Sequence, residues 1–191
     1  MVEVTSAKEP VTLRLLSIYD IGALCKMLSS LSNDTLRFYH DPGLLFSDAK
    51  SYLKMRLSLF RKLSLNAMRY RSGLAFLCII AENKAKEIIG IAYLGVKSYG
   101  FFKTADFGIV VKDSYQGRGV GSSLMNYAVS MAKNLQVDVV RLSVVADNAR
   151  AISLYQKFGF VIEGHHIQFD VWNGHILDTF SMALHLEPVG N

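Results

Sequence analysis

Thr104-Ala-Asp-Phe-Gly-Ile-Val-Val111, a turn through Asp113-Ser-Tyr115, and Gln116-Gly-Arg-Gly-Val-Gly121-Ser-Ser123 are the residues whose reading decides the fold. The first run alternates and ends apolar, as a strand does. Beyond the glycines, Val120, Leu124, Tyr127, Ala128, Met131 and Leu135 recur at helical spacing, an apolar stripe that core packing explains. Glycines at 117, 119 and 121 therefore stand where a strand gives way to a helix. The first turn of a helix has unpaired N–H donors and the positive end of the dipole, so such a loop is suited to wrap a phosphate.

Two familiar phosphate loops do not fit. A Walker loop needs Lys and then Ser or Thr directly after its last glycine, but Ser122 follows Gly121 and no lysine follows the glycines. A dinucleotide fingerprint counted from Gly117 and Gly119 needs glycine where Ser122 stands, and no acidic residue closes a strand at about 137–142. What remains is Gln-x-x-Gly-x-Gly, filled by Gln116, Gly119 and Gly121. An apolar strand over 139–145 follows, and then Asn148, Ala151, Tyr155, Gly159 and Phe160 in the order Asn-x-x-Ala-x-x-x-Tyr-x-x-x-Gly-Phe. With these residues the chain resembles the GNAT superfamily of acetyl-CoA-dependent N-acetyltransferases over about residues 75–186, most firmly 104–163. The resemblance implies a mixed α+β fold: a mostly antiparallel twisted sheet of about seven strands, flanked by helices and splayed at a cofactor slot.

Composition agrees with a folded domain. At 191 residues, 51% of them hydrophobic, residues 1–191 suit a single domain with one substantial core and exclude a disordered chain. No apolar run reaches the ~18 residues of a membrane span, and no basic-then-apolar signal peptide opens the chain. Cys25 and Cys78 lie in apolar stretches without metal-ligand spacing. They read as buried reduced thiols, which points to the cytoplasm and to no metal. The net charge of +5 is too mild to imply nucleic acid. Lys50, Lys54, Arg56, Arg61, Lys62, Arg69 and Arg71 do cluster. They read as the solvated face of a helix, or else as a surface for an acidic partner or the CoA 3′-phosphate.

Taken in order, residues 1–10 read as a loose leader and 11–15 as a first strand. Ser17 or Asp20 caps a helix bearing Ile21, Leu24, Met27 and Leu28, and Ser32-Asn-Asp34 breaks it and starts a shorter one. A turn at Asp41-Pro-Gly43 precedes a longer amphipathic helix from Ser47 or Asp48. By resemblance, 30–73 is the variable helical segment that walls the acceptor side. Phe38, Tyr39 and His40 then line that pocket or pack in the core. Strands are expected at 74–81, 88–96 and 104–111. Residues 139–145 suit a central strand covered on both faces. Strands at 160–171 and 176–186 complete the set, joined at Trp172-Asn173-Gly174, where Asn-Gly signals a hairpin. Gly108, inside its strand, marks a bulge or a close approach. The family carries a bulge there that opens the pantetheine slot.

The resemblance assigns the chemistry residue by residue. Backbone amides of Gln116, Gly117, Arg118, Gly119, Val120 and Gly121, with the Ser122 hydroxyl, hold the pyrophosphate of acetyl-CoA. Main chain of Ile109, Val110 and Val111 pairs with pantetheine like an added strand, and Ile109 or Val110 offers an N–H to the oxyanion. Asn148 touches the cofactor, though it is also a natural helix cap. Tyr155 is the general acid toward the thiolate, since a phenol with pKa near ~10 is protonated at neutral pH. The base is open: Asp106 stands where the family often has Glu, with His165, His166, Glu163 and Glu82 as alternatives. No cysteine lies in the motif region, so direct transfer in a ternary complex is expected. The acceptor is a primary amine, either protein Lys or N-terminus or a small molecule. Dimerisation is common in the family. A non-catalytic acyl-CoA sensor and a docking protein using the basic segment are the competing readings.

Overall fold

A computed structural model describes residues 2–5, 10–39 and 75–187. Its eight described strands form one sheet in the order β1-β2-β3-β4-β5-β6-β8-β7. They are β1 (Val2–Thr5), β2 (Pro10–Leu15), β3 (Ala75–Glu82), β4 (Ile88–Tyr99), β5 (Phe102–Val111), β6 (Val139–Val145), β7 (Val161–Trp172) and β8 (His175–His185). The described helices are α1 (Ile21–Leu28), α2 (Asn33–Phe38), α3 (Val120–Asn134) and α4 (Ala149–Lys157). Every neighbouring pair of strands is antiparallel except β5 and β6, which run parallel.

The seven expected strands are present, and the eighth corrects the reading of 1–10 as a loose leader. The alternation Val2-Glu3-Val4-Thr5 is short, yet it pairs with β2 from Val2↔Leu13 to Thr5↔Pro10. An edge strand of four residues gains its order from the neighbour it joins. The expected loop at 97–103 is also shorter, because β4 and β5 extend to Tyr99↔Phe102 around Gly100, whose φ is +70°. Asn173 and Gly174, both at positive φ, close the β7–β8 hairpin as their sequence requires. The turn at Asp41, the helix from Ser47 or Asp48, His40 and the basic run at 50–71 lie outside the described residues.

One face of the sheet packs on α3, where Val120, Leu124, Met125, Ala128 and Ala132 are buried with Ala105, Phe107, Val140, Leu142 and Phe160. The expected stripe is rotated by about one position, with Met125 and Ala132 inside and Tyr127 and Met131 at its margin. The other face is covered by α1 through Leu24, Cys25 and Leu28 against Cys78, Ile80, Ile91 and Val110. This cover stops short of β6: Arg141 and Ser143 are exposed between buried neighbours. The expectation of a strand sheltered on both faces is thereby corrected. An apolar run counts residues, and which face acquires a neighbour is decided by the helices above it. No helix among the described residues is long and apolar enough to cross a membrane.

Candidate functional site

β5 and β6 pair only at Thr104↔Val139, Ala105↔Val140 and Asp106↔Arg141, and beyond that rung they part. The sheet is therefore open along the last five residues of β5. No bulge causes this, contrary to the expectation at Gly108. The β4–β5 register runs without interruption from Tyr99↔Phe102 to Gly90↔Val111. Gly108 is instead required by a close approach. A Cβ placed there would lie 2.6 Å from Cζ and 2.8 Å from Oη of Tyr93, its partner across the ladder.

The hydrogen-bond parity of β5 settles which backbone groups face the opening. Lys112 N–H donates to Ile89 O at 2.9 Å, so Lys112 and, two residues earlier, Val110 direct their backbone groups toward β4. Ile109 and Val111 direct theirs the opposite way, into the slot. The Val111 carbonyl, facing away from β4, accepts from Gln116 Nε2 at 3.0 Å. Of the two candidate oxyanion donors, Ile109 thus points at the slot and Val110 does not.

The slot ends on the glycine loop. After the turn Asp113–Tyr115, Gly117 and Gly119 take φ of +73° and +89°, and Gly119 is the residue preceding the 15-residue helix α3. Positive φ at these two positions is the kind of bend that gathers successive amides on one side of a loop, and it would strain any residue with a Cβ. Gly121 differs: an added Cβ would meet Leu154 Cδ2 at 3.5 Å, an ordinary contact. Its glycine is therefore no requirement of the protein's own packing. Gln116 braces the loop. Besides Val111 O, its amide donates to Thr35 Oγ1 at 2.9 Å, and its oxygen accepts from Arg150 Nη1 at 2.8 Å.

A cleft of about 670 Å³ runs through these elements. Ile109, Val110, Val111, Gln116, Gly117, Gly119, Gly121, Ser122, Asn148 and Tyr155 all line it, joined by Thr35 and Phe38 from α2, by Tyr39 just after it, and by Ser143 and Arg150. Arg118 and Val120 are not among its walls: the Arg118 guanidinium lies 5.4 Å from the Tyr115 ring centroid, and Val120 is core. Asn148 caps α4 by accepting from Ala151 N–H at 3.1 Å while it borders the cleft, so both of its expected roles fit one position. Tyr155 is 7% exposed, with its ring edge-on to Phe107 at 6.4 Å and against Phe160 at 5.8 Å. Burial raises its pKa well above the usual phenol range.

None of the candidate bases lines the cleft. Asp106 is half-exposed and paired with Lys97 Nζ at 2.5 Å. Glu82 is 4% exposed and held by Arg14, which also bonds Asp20. His165 pairs with Asp178 at 3.3 Å, His166 with Ser181 Oγ at 3.1 Å, and Glu163 with His185 at 3.4 Å. These last three lie on β7, separated from β6 by β8. Among the described residues no group of three or more His, Cys, Asp or Glu could hold a metal ion.

Asp113 had only a turn role in the sequence. Its carboxylate accepts from Ser32 N–H at 3.0 Å, Ser32 Oγ at 2.5 Å and Thr35 Oγ1 at 2.6 Å. Partial burial pushes its pKa up, but these hydrogen bonds outweigh that and hold it below the usual carboxylate range. Nothing in the sequence announces this contact, which joins residues about eighty positions apart. Arg150 is hidden likewise, inside a motif that fixes its neighbours.

A mixed sheet opened at its one parallel pair, with a glycine-lined helix start at the open end, defines the N-acetyltransferase class of fold. A family model described as the acetyltransferase (GNAT) family matches residues 38–160, and the chain belongs to that family. It is similar to the L-amino acid N-acetyltransferase AaaT of Escherichia coli, 45% identical over 80 residues, 41% of this chain and 49% of that protein. It is also similar to the spermidine N(1)-acetyltransferase of Vibrio cholerae, 31% identical over 106 residues, 55% of this chain and 61% of that one. The chain thus spans about half to three-fifths of the length of these relatives. In fold it is similar to the ribosomal-protein-S5-alanine acetyltransferase of Vibrio fischeri, with TM-score 0.76 at 16% identity over 97% of each chain. A GNAT acetyltransferase of Streptococcus pneumoniae gives TM-score 0.72 at 22% identity, over 93% of this chain and 99% of that one.

Proposed function

We propose that residues 1–191 form one domain that transfers an acetyl group from acetyl-CoA to a primary amine, directly and within a ternary complex. The observation that carries this reading is the alignment of three features along one cleft: slot-facing Ile109 and Val111, the inward-turned loop at Gly117 and Gly119, and Tyr155. Acetyl-CoA fits the residues present. A pyrophosphate needs converging amides without Cβ atoms between them, and its arm needs strand-like partners at an unpaired edge. When bound, acetyl-CoA supplies the activated acyl group. The Gln116–Gly121 amides and Ser122 hold the diphosphate, with Arg150 adjacent. Val111 and Ile109 align the arm, and the Ile109 N–H stabilises developing charge on the carbonyl oxygen.

Tyr155 holds the proton for the leaving sulfur. Its raised pKa keeps it protonated throughout the neutral range. Burial that disfavours a phenolate also disfavours a thiolate in the same cleft, so proton donation depends on the difference between the two. Asp106, tied to Lys97 outside the cleft walls, has no support from geometry as the base. The names of the matched relatives, acting on L-amino acids and on spermidine, support a small amine acceptor over a protein. The buried thiols of Cys25 and Cys78 suit a cytoplasmic enzyme. The β7 edge, with Ile167, Phe169 and Val171 exposed, supports pairing with a second copy.

The test is transfer of labelled acetyl from acetyl-CoA into a cell extract separated into macromolecular and small-molecule fractions, with Tyr155→Phe alongside. Label among small molecules that falls with Tyr155→Phe is expected. Tight acetyl-CoA binding with no label in either fraction would overturn the reading in favour of a sensor.

A further inference from the structure

α2 is fastened at both ends, and to opposite sides of the slot. Near its start, Ser32 and Thr35 are held by Asp113, which follows β5. Near its end, Arg37 forms an ion pair with Asp147, which follows β6. These are the two strands that part beyond Asp106 and Arg141, so α2 ties together the two lips of the opening. A helix of six residues is about 9 Å long, roughly two strand spacings, which matches a gap that one inserted strand-like arm would occupy.

The tie is also wired to the glycine loop. Thr35 Oγ1 donates to Asp113 Oδ1 and accepts from Gln116 Nε2, and the Gln116 oxygen accepts from Arg150. One hydroxyl thus links the helix that ends in Phe38 and leads into Tyr39, two residues that wall the cleft, to the residue that braces the diphosphate loop. We infer that Thr35 and Asp113 are positioning residues that couple occupation of the Gln116–Gly121 loop to the placement of α2, so that donor binding orders the wall against which the acceptor sits. Ordering is transmitted because Gln116 cannot settle on Val111 O and Thr35 together unless α2 is docked. By linkage the effect is reciprocal, with docking of α2 raising donor affinity by the same factor.

This inference rests on the reading of the cleft as the acetyl-CoA site, and the experiment separates the two. Amide hydrogen exchange is followed with and without coenzyme A in wild type, Thr35→Val and Thr35→Ser. Thr35 is half-buried on the surface of α2, so neither change threatens the core. Wild type is expected to gain protection at 117–122 and at 33–38. Thr35→Val should keep the first, lose the second and bind coenzyme A about fivefold more weakly, the lower end of such couplings. Thr35→Ser, which keeps the hydroxyl, should behave as wild type. Protection at 33–38 that survives Thr35→Val, or its absence in wild type while 117–122 is protected, overturns the coupling alone. Absence of protection at 117–122 in wild type overturns the coupling and the acetyl-CoA reading together.

Discussion

Gly108→Ala is the substitution on which the account of the slot is most exposed. The change adds one methyl group on β5, and the geometry fixes where it goes: 2.6 Å from Cζ and 2.8 Å from Oη of Tyr93. Those atoms belong to a rigid ring, and the ring stacks on Phe76 with centroids 5.8 Å apart. It cannot yield as the end of a flexible chain would. Overpacking of this kind costs typically 1–3 kcal/mol, and about 2 kcal/mol is expected here, partly offset by the better strand propensity of alanine. For a chain of this size that lowers Tm by roughly 4–8 °C. Urea denaturation of Gly108→Ala, Tyr93→Leu and the double variant supplies the check. In the Tyr93→Leu background the alanine should cost little, giving a coupling of about 1–2 kcal/mol between sites in contact. Acetyl-CoA affinity should fall in Gly108→Ala and recover in the double variant, because the next residue is Ile109, whose amide faces the slot. Additive effects, or Gly108→Ala within 0.5 kcal/mol of wild type, roughly the scatter of surface substitutions, would refute the close-approach argument and reopen the case for a bulge.

Other consequences are as direct. Gly119→Val forces a β-branched residue to φ near +89° at the start of α3 and should abolish acetyl-CoA binding by calorimetry, while far-UV circular dichroism is retained. Tyr155→Phe keeps the packing on Phe107 and Phe160 and should lower kcat by about 10²–10⁴-fold, the usual span for a general acid, with acetyl-CoA affinity unchanged. Asp106→Asn should leave the pH–rate profile intact and change stability by less than about 1 kcal/mol, since it breaks only an exposed ion pair; a displaced acidic limb would reinstate Asp106 as the base. The hydrogen bond from Arg14 depresses the pKa of Asp20. The stability from that pair is therefore fully present above the ordinary carboxylate value of about 3.9 and is lost as pH falls through the lower folded value. The stability gap between wild type and Asp20→Asn should accordingly be constant near neutrality and close below pH ~4.

The loop, the two helices and the strands around it were legible because each is specified locally. The glycines at 117, 119 and 121 announce a loop at a strand-to-helix junction, Asn148 announces a cap, and Asn173-Gly174 announces a hairpin, each through the conformational limits of single residues. Tyr155 was singled out by the family resemblance, and the fold places it on the wall of the cleft. Misreadings came where a residue's role depends on what lies beside it. Gly108 left a bulge and a close approach both open, because a glycine in a strand records only that a Cβ is missing; the Tyr93 ring on the adjacent strand selects the close approach over the bulge that the resemblance implied. Val139–Val145 looked sheltered on both faces, but α1 does not extend over Arg141 and Ser143. For Asp106, one of several bases left open, the sequence could not show the Lys97 partner or its position outside the cleft walls.

By itself, then, the sequence determined the periodicities, the turns, the phosphate-type loop and the family to which they belong, because backbone sterics and local hydrogen bonds act over a few residues. Tertiary structure alone decided that β5 and β6 separate after Asp106, that the backbone amide of Ile109 rather than that of Val110 faces the opening, and that α2 is tied to Asp113 and Asp147 across it. Those facts rest on contacts between groups far apart in the chain, whose partners are chosen by the packing of the whole sheet and not by any residue's neighbours in sequence.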